Sequence, residues 1–334
     1  MIDWAQRRVF VTGATGIVGS WLVKRLLGAG AHVVVLVRDA DPQSELIRSG
    51  DITSTSVVNG CLEDYSVTER AINEHEPDTV FHLGAQAIVT TALRSPLPTF
   101  EANIRGSYHV LEACRVHRSL VSRVVVASSD KAYGDGTSLP YTEDMPANGR
   151  HPYDVSKSCT DLLALTYAHT YDLPVTVARC GNIYGGGDLN WSRIVPGTIR
   201  SLWQGQRPVI RSDGQFTRDY LYVQDVVDAY LVLAERCGDD GVRGEAFNFS
   251  PESRQTVLEI TRAIQRLMRR EDLEPVILDN ARAEIRDQYL DAGRAHQRLG
   301  WRARHSLDEG LQATIQWYSN FLGAATKGIT AASR

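Results

Sequence analysis

Tyr153 and Lys157 stand four residues apart in His-Pro-Tyr-Asp-Val-Ser-Lys-Ser, at the start of an apolar-periodic segment. On a helix that spacing puts both side chains on one face, about one turn apart. An ammonium beside a phenol favours the phenolate, so the pair predicts a tyrosine able to take a proton from a sugar or alcohol hydroxyl near neutral pH. Upstream, Val124-Val-Val-Ala runs out into Ser128, Ser129, Asp130 and Lys131. The serines stand where they can hydrogen-bond the same hydroxyl, and Asp130 with Lys131 adds a second acid–base pair. Tyr and Lys at this spacing also occur in many helices as a packed ring beside a solvated amine, so the surrounding elements decide what the pair means.

Those elements begin at once. Residues 8–12, Arg-Val-Phe-Val-Thr, predict a buried strand; Gly13-Ala-Thr15-Gly16-Ile17-Val18-Gly19 then opens a helix, and residues 32–37 predict a second strand. In such a β–turn–α–β unit Gly13 allows the tight turn, Gly16 lets backbone approach a pyrophosphate, and Gly19 lets helix and strand pack closely. Phosphates then meet the helix N-terminus, whose free N–H groups and dipole favour anions. Arg38 and Asp39 end the second strand, where an acid takes the ribose 2′-hydroxyl of NAD and an arginine meets a 2′-phosphate. NAD and NADP both remain open at this point.

Further strands are expected at 79–83 and 174–180, and helices at 100–117 and 153–170. The alternation predicts an α/β fold with a parallel, doubly wound Rossmann sheet. Four polar loops fall at strand C-terminal ends, where such sheets bind ligands: the glycine turn, Gly84–Gln86, Ser128–Lys131 and Arg179–Asn182. His82 is expected to pack in the core. After residue 180 the character changes. Gly185–Gly187 marks a boundary, and five arginines (193, 200, 207, 211 and 218) lie between short apolar runs. A helix over 223–236, a strand over 244–249, and helices over 256–270 and 307–322 follow. The expected organisation is a dinucleotide-binding domain over 1–180, revisited around 223–250, and a smaller α+β substrate-binding cap over 181–334.

The chain has 334 residues, 43% of them apolar, with a net charge of −4. Mild acidity argues against nucleic acid or an anionic membrane as partner. Neither a targeting segment nor an apolar run of membrane-spanning length is visible. Five cysteines form no C-x-x-C pair and read as thiols of a cytoplasmic protein, and nine histidines show no ligand spacing, so no metal is expected.

The G-x-x-G-x-x-G spacing, with Tyr153 and Lys157, resembles the extended short-chain dehydrogenase/reductases over roughly residues 7–320. That resemblance implies further contacts. Leu62, in Gly60-Cys-Leu-Glu-Asp64, lies on the adenine side, with Cys61 where the family has an aspartate. Leu83, Gly84, Ala85 and Gln86 pass under the ribose and nicotinamide, Gln86 also facing the substrate. Asn103 holds backbone near the active site, and Ser128, Tyr153 and Lys157 complete the cofactor set. Asn182, Arg218 (in Phe-Thr-Arg-Asp-Tyr) and Arg286 (in Glu-Ile-Arg-Asp) would grip the diphosphate of a sugar nucleotide, work that suits the guanidinium fork, and Arg193 would join them in binding the substrate. The helices 100–117 and 153–170 would form a homodimer interface.

Within the NAD(P)-dependent nucleotide-sugar epimerases and dehydratases, three stretches look most like CDP-glucose 4,6-dehydratases: His82–Gln86, Ser129-Asp130-Lys131, and Gly181–Asp188 followed by Ser192–Pro196. The Thr217–Asp225 run looks more like the epimerase and dTDP-glucose branches. The implied chemistry oxidises C4, eliminates water across C5 and C6, and reduces C6, with Tyr153, Lys157 and Ser129 at C4 and Asp130 as acid at the C6 oxygen. Lys131 is either a neutral base at C5 or a cation beside the enolate. A 4-epimerase, an NADP-dependent ketone reductase and a cofactor-sensing regulator are the alternatives.

Overall fold

The computed structural model describes residues 2–136, 138–281 and 284–332, with residues 325–332 described by their backbone. Thirteen strands form among the described residues: β1 Arg8–Thr12, β2 His32–Val37, β3 Ser56–Asn59, β4 Thr79–His82, β5 Arg123–Ala127, β6 Val175–Cys180, β7 Asn182–Tyr184, β8 Val209–Ile210, β9 Thr217–Tyr222, β10 Ala246–Phe249, β11 Arg254–Thr256, β12 Val276–Ile277 and β13 Asp287–Gln288. Seven make one sheet in the order β10-β6-β5-β4-β1-β2-β3, every pairing parallel. The order reverses between β1 and β4, which opens the crevice where doubly wound sheets bind ligands.

Strands buried on both faces must be apolar nearly throughout, and these are. In β1, Val9 and Val11 face one layer with Leu22, Leu26, Val227 and Phe247; Phe10 faces the other with Val80, Leu111, Val124 and Ala164. Eleven helices are seen among the described residues: α1 Ile17–Gly28, α2 Glu45–Arg48, α3 Tyr65–His75, α4 Val89–Arg94, α5 Pro96–Phe100, α6 Gly106–Val116, α7 Pro152–Tyr171, α8 Ile194–Trp203, α9 Val223–Arg236, α10 Val257–Met268 and α11 Leu307–Ala332. Helices α1 and α9 cover one face of the sheet, and α3, α6 and α7 the other. None is long and apolar enough to cross a membrane.

The segment expected as one helix over 100–117 is broken: a π-helical turn, Glu101–Arg105, joins α5 to α6. Such turns redirect a side chain without ending the helix, and the residue redirected here is Asn103. Beyond β6, β9 pairs β7, β11 and β13, and packs with α8, α10 and α11 around Tyr220, Ile260, Leu311 and Tyr318.

His82 lies in the core, as expected. Its Nδ1 meets Thr12 Oγ1 at 2.8 Å and its Nε2 meets Ser107 Oγ at 3.0 Å, while burial pushes its pKa down to about 3 and keeps the ring neutral. Arg179 differs from expectation: it belongs to no ligand-facing loop. Strand alternation turns it toward α7, where its guanidinium forks onto Asp161 at 2.8 and 2.7 Å and donates to the Tyr133 oxygen at 2.8 Å. Tyr133 in turn donates to Asn248 Oδ1 at 2.6 Å. One buried cation thus ties β6, α7 and β10 together. Arg179→Met leaves Asp161 buried and unpaired, so denaturant melts of that variant are expected to show a loss of about 3–5 kcal/mol.

Candidate active site

A cleft of about 700 Å³ opens at the C-terminal ends of β1, β2, β4, β5 and β6, and residues of β7, α8, β8 and β9 wall its far side. At its floor Gly13 takes φ +70°, and a Cβ there would stand 2.7 Å from Gly84 N; at Gly19 it would stand 2.1 Å from Gly13 O. Neither position tolerates a side chain. Gly16 caps α1 with no side-chain bond, so the first-turn N–H groups are left for an anion. Thr15, Ile17 and Val18 line this end, with Arg38, Asp39, Leu62, Leu83, Gly84 and Ala85. Arg38 Nε is paired with Asp39 Oδ2 at 2.6 Å, both exposed at the mouth.

Gln86 and Asn103 are not among the cleft-lining residues; they shape the wall from behind. Asn103 Oδ1 accepts from Gln86 N at 2.7 Å, and its Nδ2 donates to Gln86 O at 3.2 Å and to Ser156 Oγ at 2.9 Å. Ser156 then donates to Tyr153 O at 2.6 Å. Ser128 Oγ is buried in the wall without a hydrogen-bond partner. The glycine cradle, the open helix terminus and this unsatisfied hydroxyl together fit a dinucleotide.

The chemical end draws on two elements. Ser129 caps the turn Asp130–Tyr133: its Oγ donates to Asp130 Oδ1 at 2.9 Å and accepts from Lys131 N at 3.2 Å. Pro152 starts α7, which puts Tyr153 in its first turn and Lys157 one turn on. Lys157 is buried and lines the cleft with Tyr153. Its Nζ donates to Ala127 O at 2.8 Å. Burial lowers its pKa to about 8, opposed by Asp161, and burial raises the Tyr153 phenol to about 12, opposed chiefly by Arg193. Desolvation outweighs the neighbouring cation, and Arg193 is the charge that favours the phenolate. Burial also raises the pKa of Asp130, against Lys131 and Ser129, and lowers that of Lys131, against Asp130. Both shifts favour the uncharged acid and the uncharged amine.

Asn182, Arg193 and Arg218 line the far wall. Arg193 meets Asp188 Oδ2 at 3.1 Å. Arg218 is buried and held by carbonyls: its Nη1 donates to Thr217 O and Arg286 O, both at 2.8 Å, and its Nη2 to Ile285 O. Arg286 does not line the cleft. Its guanidinium is largely exposed and pairs with Asp213 Oδ2 at 3.1 Å, and only its carbonyl serves, as the acceptor for Arg218 and for Thr217 N. Sequence reasoning did not single out Arg211, Asp154 or Glu284 for this wall. Arg211 follows a strand of two residues, too short to carry a period, whereas Asp154 was visible one residue after the tyrosine.

Behind the wall, Asp219 Oδ2 accepts from Ser250 Oγ at 2.7 Å and Leu290 N at 2.8 Å, while Oδ1 is buried without a partner. Burial raises its pKa to about 6, against the bond from Leu290. Because the folded form holds this proton more tightly than the unfolded chain, stability falls as pH rises from about 4 through about 6. Asp219→Asn keeps an acceptor and removes the titration. Urea melts at the two ends of that range are expected to show the wild type losing on the order of 2 kcal/mol relative to the variant.

Residues 9–249 match the model of the NAD dependent epimerase/dehydratase family. A CDP-glucose 4,6-dehydratase of Salmonella typhimurium is 31% identical, over 96% of this chain and 94% of the relative. A UDP-glucose 4-epimerase of Mycolicibacterium smegmatis is also 31% identical, over 94% and 99%. Among solved structures, the UDP-glucose 4-epimerase of Thermotoga maritima with UDP-glucose superposes with a TM-score of 0.85 at 28% identity, covering 94% of this chain and 99% of that one. The dTDP-glucose 4,6-dehydratase of Streptomyces venezuelae with NAD bound gives 0.84 at 25%, covering 95% and 98%. The family match over most of the chain and these relatives along nearly its whole length show that the chain belongs to the NAD-dependent epimerase/dehydratase family.

Proposed function

We propose that this protein is a nucleotide-sugar 4,6-dehydratase of the CDP-glucose type, with NAD as a resident, recycled cofactor. The observation that carries the reading is Asp130 and Lys131 on the cleft wall beside Ser129 and Tyr153, with burial favouring the uncharged form of each. A 4-epimerase needs the tyrosine and serine but no acid–base pair after them.

The glycine turn and Arg38–Asp39 would hold the dinucleotide, and Arg193, Arg218 and Asn182 the sugar nucleotide's diphosphate. When bound, the nicotinamide supplies the hydride acceptor for C4 and the donor for C6. Tyr153 takes the proton of the C4 hydroxyl, Ser129 holding that oxygen. The C4 carbonyl acidifies C5–H, and Lys131 is the base that removes it. Asp130 protonates the C6 oxygen as water leaves, then regains its proton for the next cycle. Exposed Tyr108 and Val116 on α6 and Leu162 on α7 support a homodimer through these helices, and the free thiols a cytoplasmic setting.

The second reading, a 4-epimerase, is favoured by the similarity to UDP-glucose 4-epimerases along the full chain. Purified protein incubated with CDP-, dTDP-, UDP- and GDP-glucose separates the two. The expected product is lighter by one water and absorbs near-ultraviolet light in alkali; a product of unchanged mass overturns the dehydratase reading. Lys131→Gln is expected to lower turnover by about 10²–10⁴-fold and to suppress entry of solvent deuterium at C5, measured by mass spectrometry and NMR.

A further inference from the structure

Asp154 is a buried carboxyl group, 4% exposed, on the cleft wall; burial raises its pKa, and Lys131 is the first of the charges that oppose this. The dehydratase chemistry above gives it no task. Its placement is fixed by the fold. Residues 154 and 158 share one face of α7, and Ser158 Oγ donates to Ala132 O at 2.8 Å, so that face is pressed on the turn that carries Asp130 and Lys131. Gly149 N donates to the same Ser158 Oγ at 3.0 Å. A Cβ at Gly149 would stand 2.4 Å from the Asp154 carbonyl carbon, so the preceding loop closes directly on this residue. Asp154 therefore stands one turn up the face that packs on Lys131's turn.

We infer that Asp154 is a positioning residue for Lys131: from the α7 face packed on the Asp130–Tyr133 turn, its charge stabilises the ammonium that forms when Lys131 takes the C5 proton. The inference rests on the dehydratase reading. In the step, the C5–H bond breaks, its electron pair enters the C4–C5 enolate, and the proton goes to Lys131 Nζ. The enolate pair then forms C5=C6 as the C6–O bond breaks, with Asp130 supplying the proton that lets water leave. After hydride arrives at C6, Lys131 returns its proton to C5. A fixed carboxylate beside an amine that becomes cationic lowers the barrier to that transfer, as preorganised charge does wherever charge develops.

The charged groups around Lys131 are Asp130 on its own turn, Asp154 on α7, Arg218 on β9 and Glu284 ahead of β13. Those around Asp154 are Lys131, His151 and Asp130. Removing the Asp154 charge leaves the ammonium less favoured, so the acid limb of the pH–rate profile must move to lower pH.

The test uses Asp154→Asn and Asp154→Glu in the full chain. Supplied with the 4-keto-6-deoxy nucleotide sugar in deuterium oxide, wild type is expected to exchange the C5 hydrogen without any hydride transfer. Asp154→Asn should slow that exchange and overall turnover by about 10²-fold, and Asp154→Glu should recover to within about tenfold. C4 oxidation, followed by nicotinamide absorbance in a single turnover, should not slow, because Tyr153 and Ser129 remain and the Asp154 charge that is lost is one that raises the Tyr153 phenol. Exchange unchanged in Asp154→Asn with an unmoved acid limb overturns the inference. Equal loss of C4 oxidation and exchange, with a lowered melting temperature and no recovery in Asp154→Glu, also overturns it, since that is a helix-terminus role alone. Wild type that yields only an epimer sinks the dehydratase reading itself; wild type that dehydrates while Asp154→Asn is unimpaired sinks only the inference.

Discussion

The side-chain amide of Asn103 is the joint between the two ends of the cleft. On one side it closes both backbone bonds of Gln86, in the loop that leaves β4; on the other it reaches Ser156, which donates to the carbonyl of Tyr153. Its own carbonyl accepts from Ser107 and Thr160, at 2.5 and 2.9 Å. Every polar atom of the residue is thus spent inside the protein, 1% exposed, where an unmade bond costs about 1–3 kcal/mol. The position of the phenol relative to the glycine cradle follows from that accounting. Thr12, His82 and Ser107 extend it to the end of β1: Gly84 N donates to Thr12 Oγ1, and the neutral imidazole spans Thr12 and Ser107. A charged ring could not sit there, which is why burial that keeps His82 neutral serves the geometry.

What could be read from the sequence is what short-range rules govern. Val9–Val11 and Val33–Val37 are apolar without a break because a central parallel strand has no solvent face, and the structure places β1 over 8–12 and β2 over 32–37. Gly13 and Gly19 were legible because close backbone approach excludes every other residue. Helix α9 begins and ends where its pattern does. The π-turn at Glu101–Arg105 was not legible, since an extra residue in a helix leaves the apolar period nearly intact.

Misreadings arose where a residue's partner lies far along the chain. Arg179 looked like part of a polar loop because it nears a strand end, yet its carboxylate partner is on α7, eighteen residues earlier. Arg286 matched a pattern by position, but pairing of β13 with β9 delivers its carbonyl, not its guanidinium, to Arg218. The spacing of Tyr153 and Lys157 correctly put them on one helix and said nothing of solvent. Burial is a property of the packed assembly, and it raises the phenol and lowers the amine whatever their spacing.

Burial is also what makes the cleft chemically capable. In water Asp130 and Lys131 would simply form a carboxylate and an ammonium, neither of which can donate and accept as elimination requires. Enclosed by β5, α7 and β9, each is driven toward its neutral form, which brings the affinities of the two sites for a proton closer together. Such a pair destabilises the fold relative to apolar residues of like volume. The offset comes from the remainder of the chain: the two apolar layers on the sheet, the Arg179–Asp161 tie and the tight glycine contacts, none of which needs to move when substrate binds. A rigid, over-determined sheet edge is therefore the condition for keeping reactive groups in ionisation states that water would not allow.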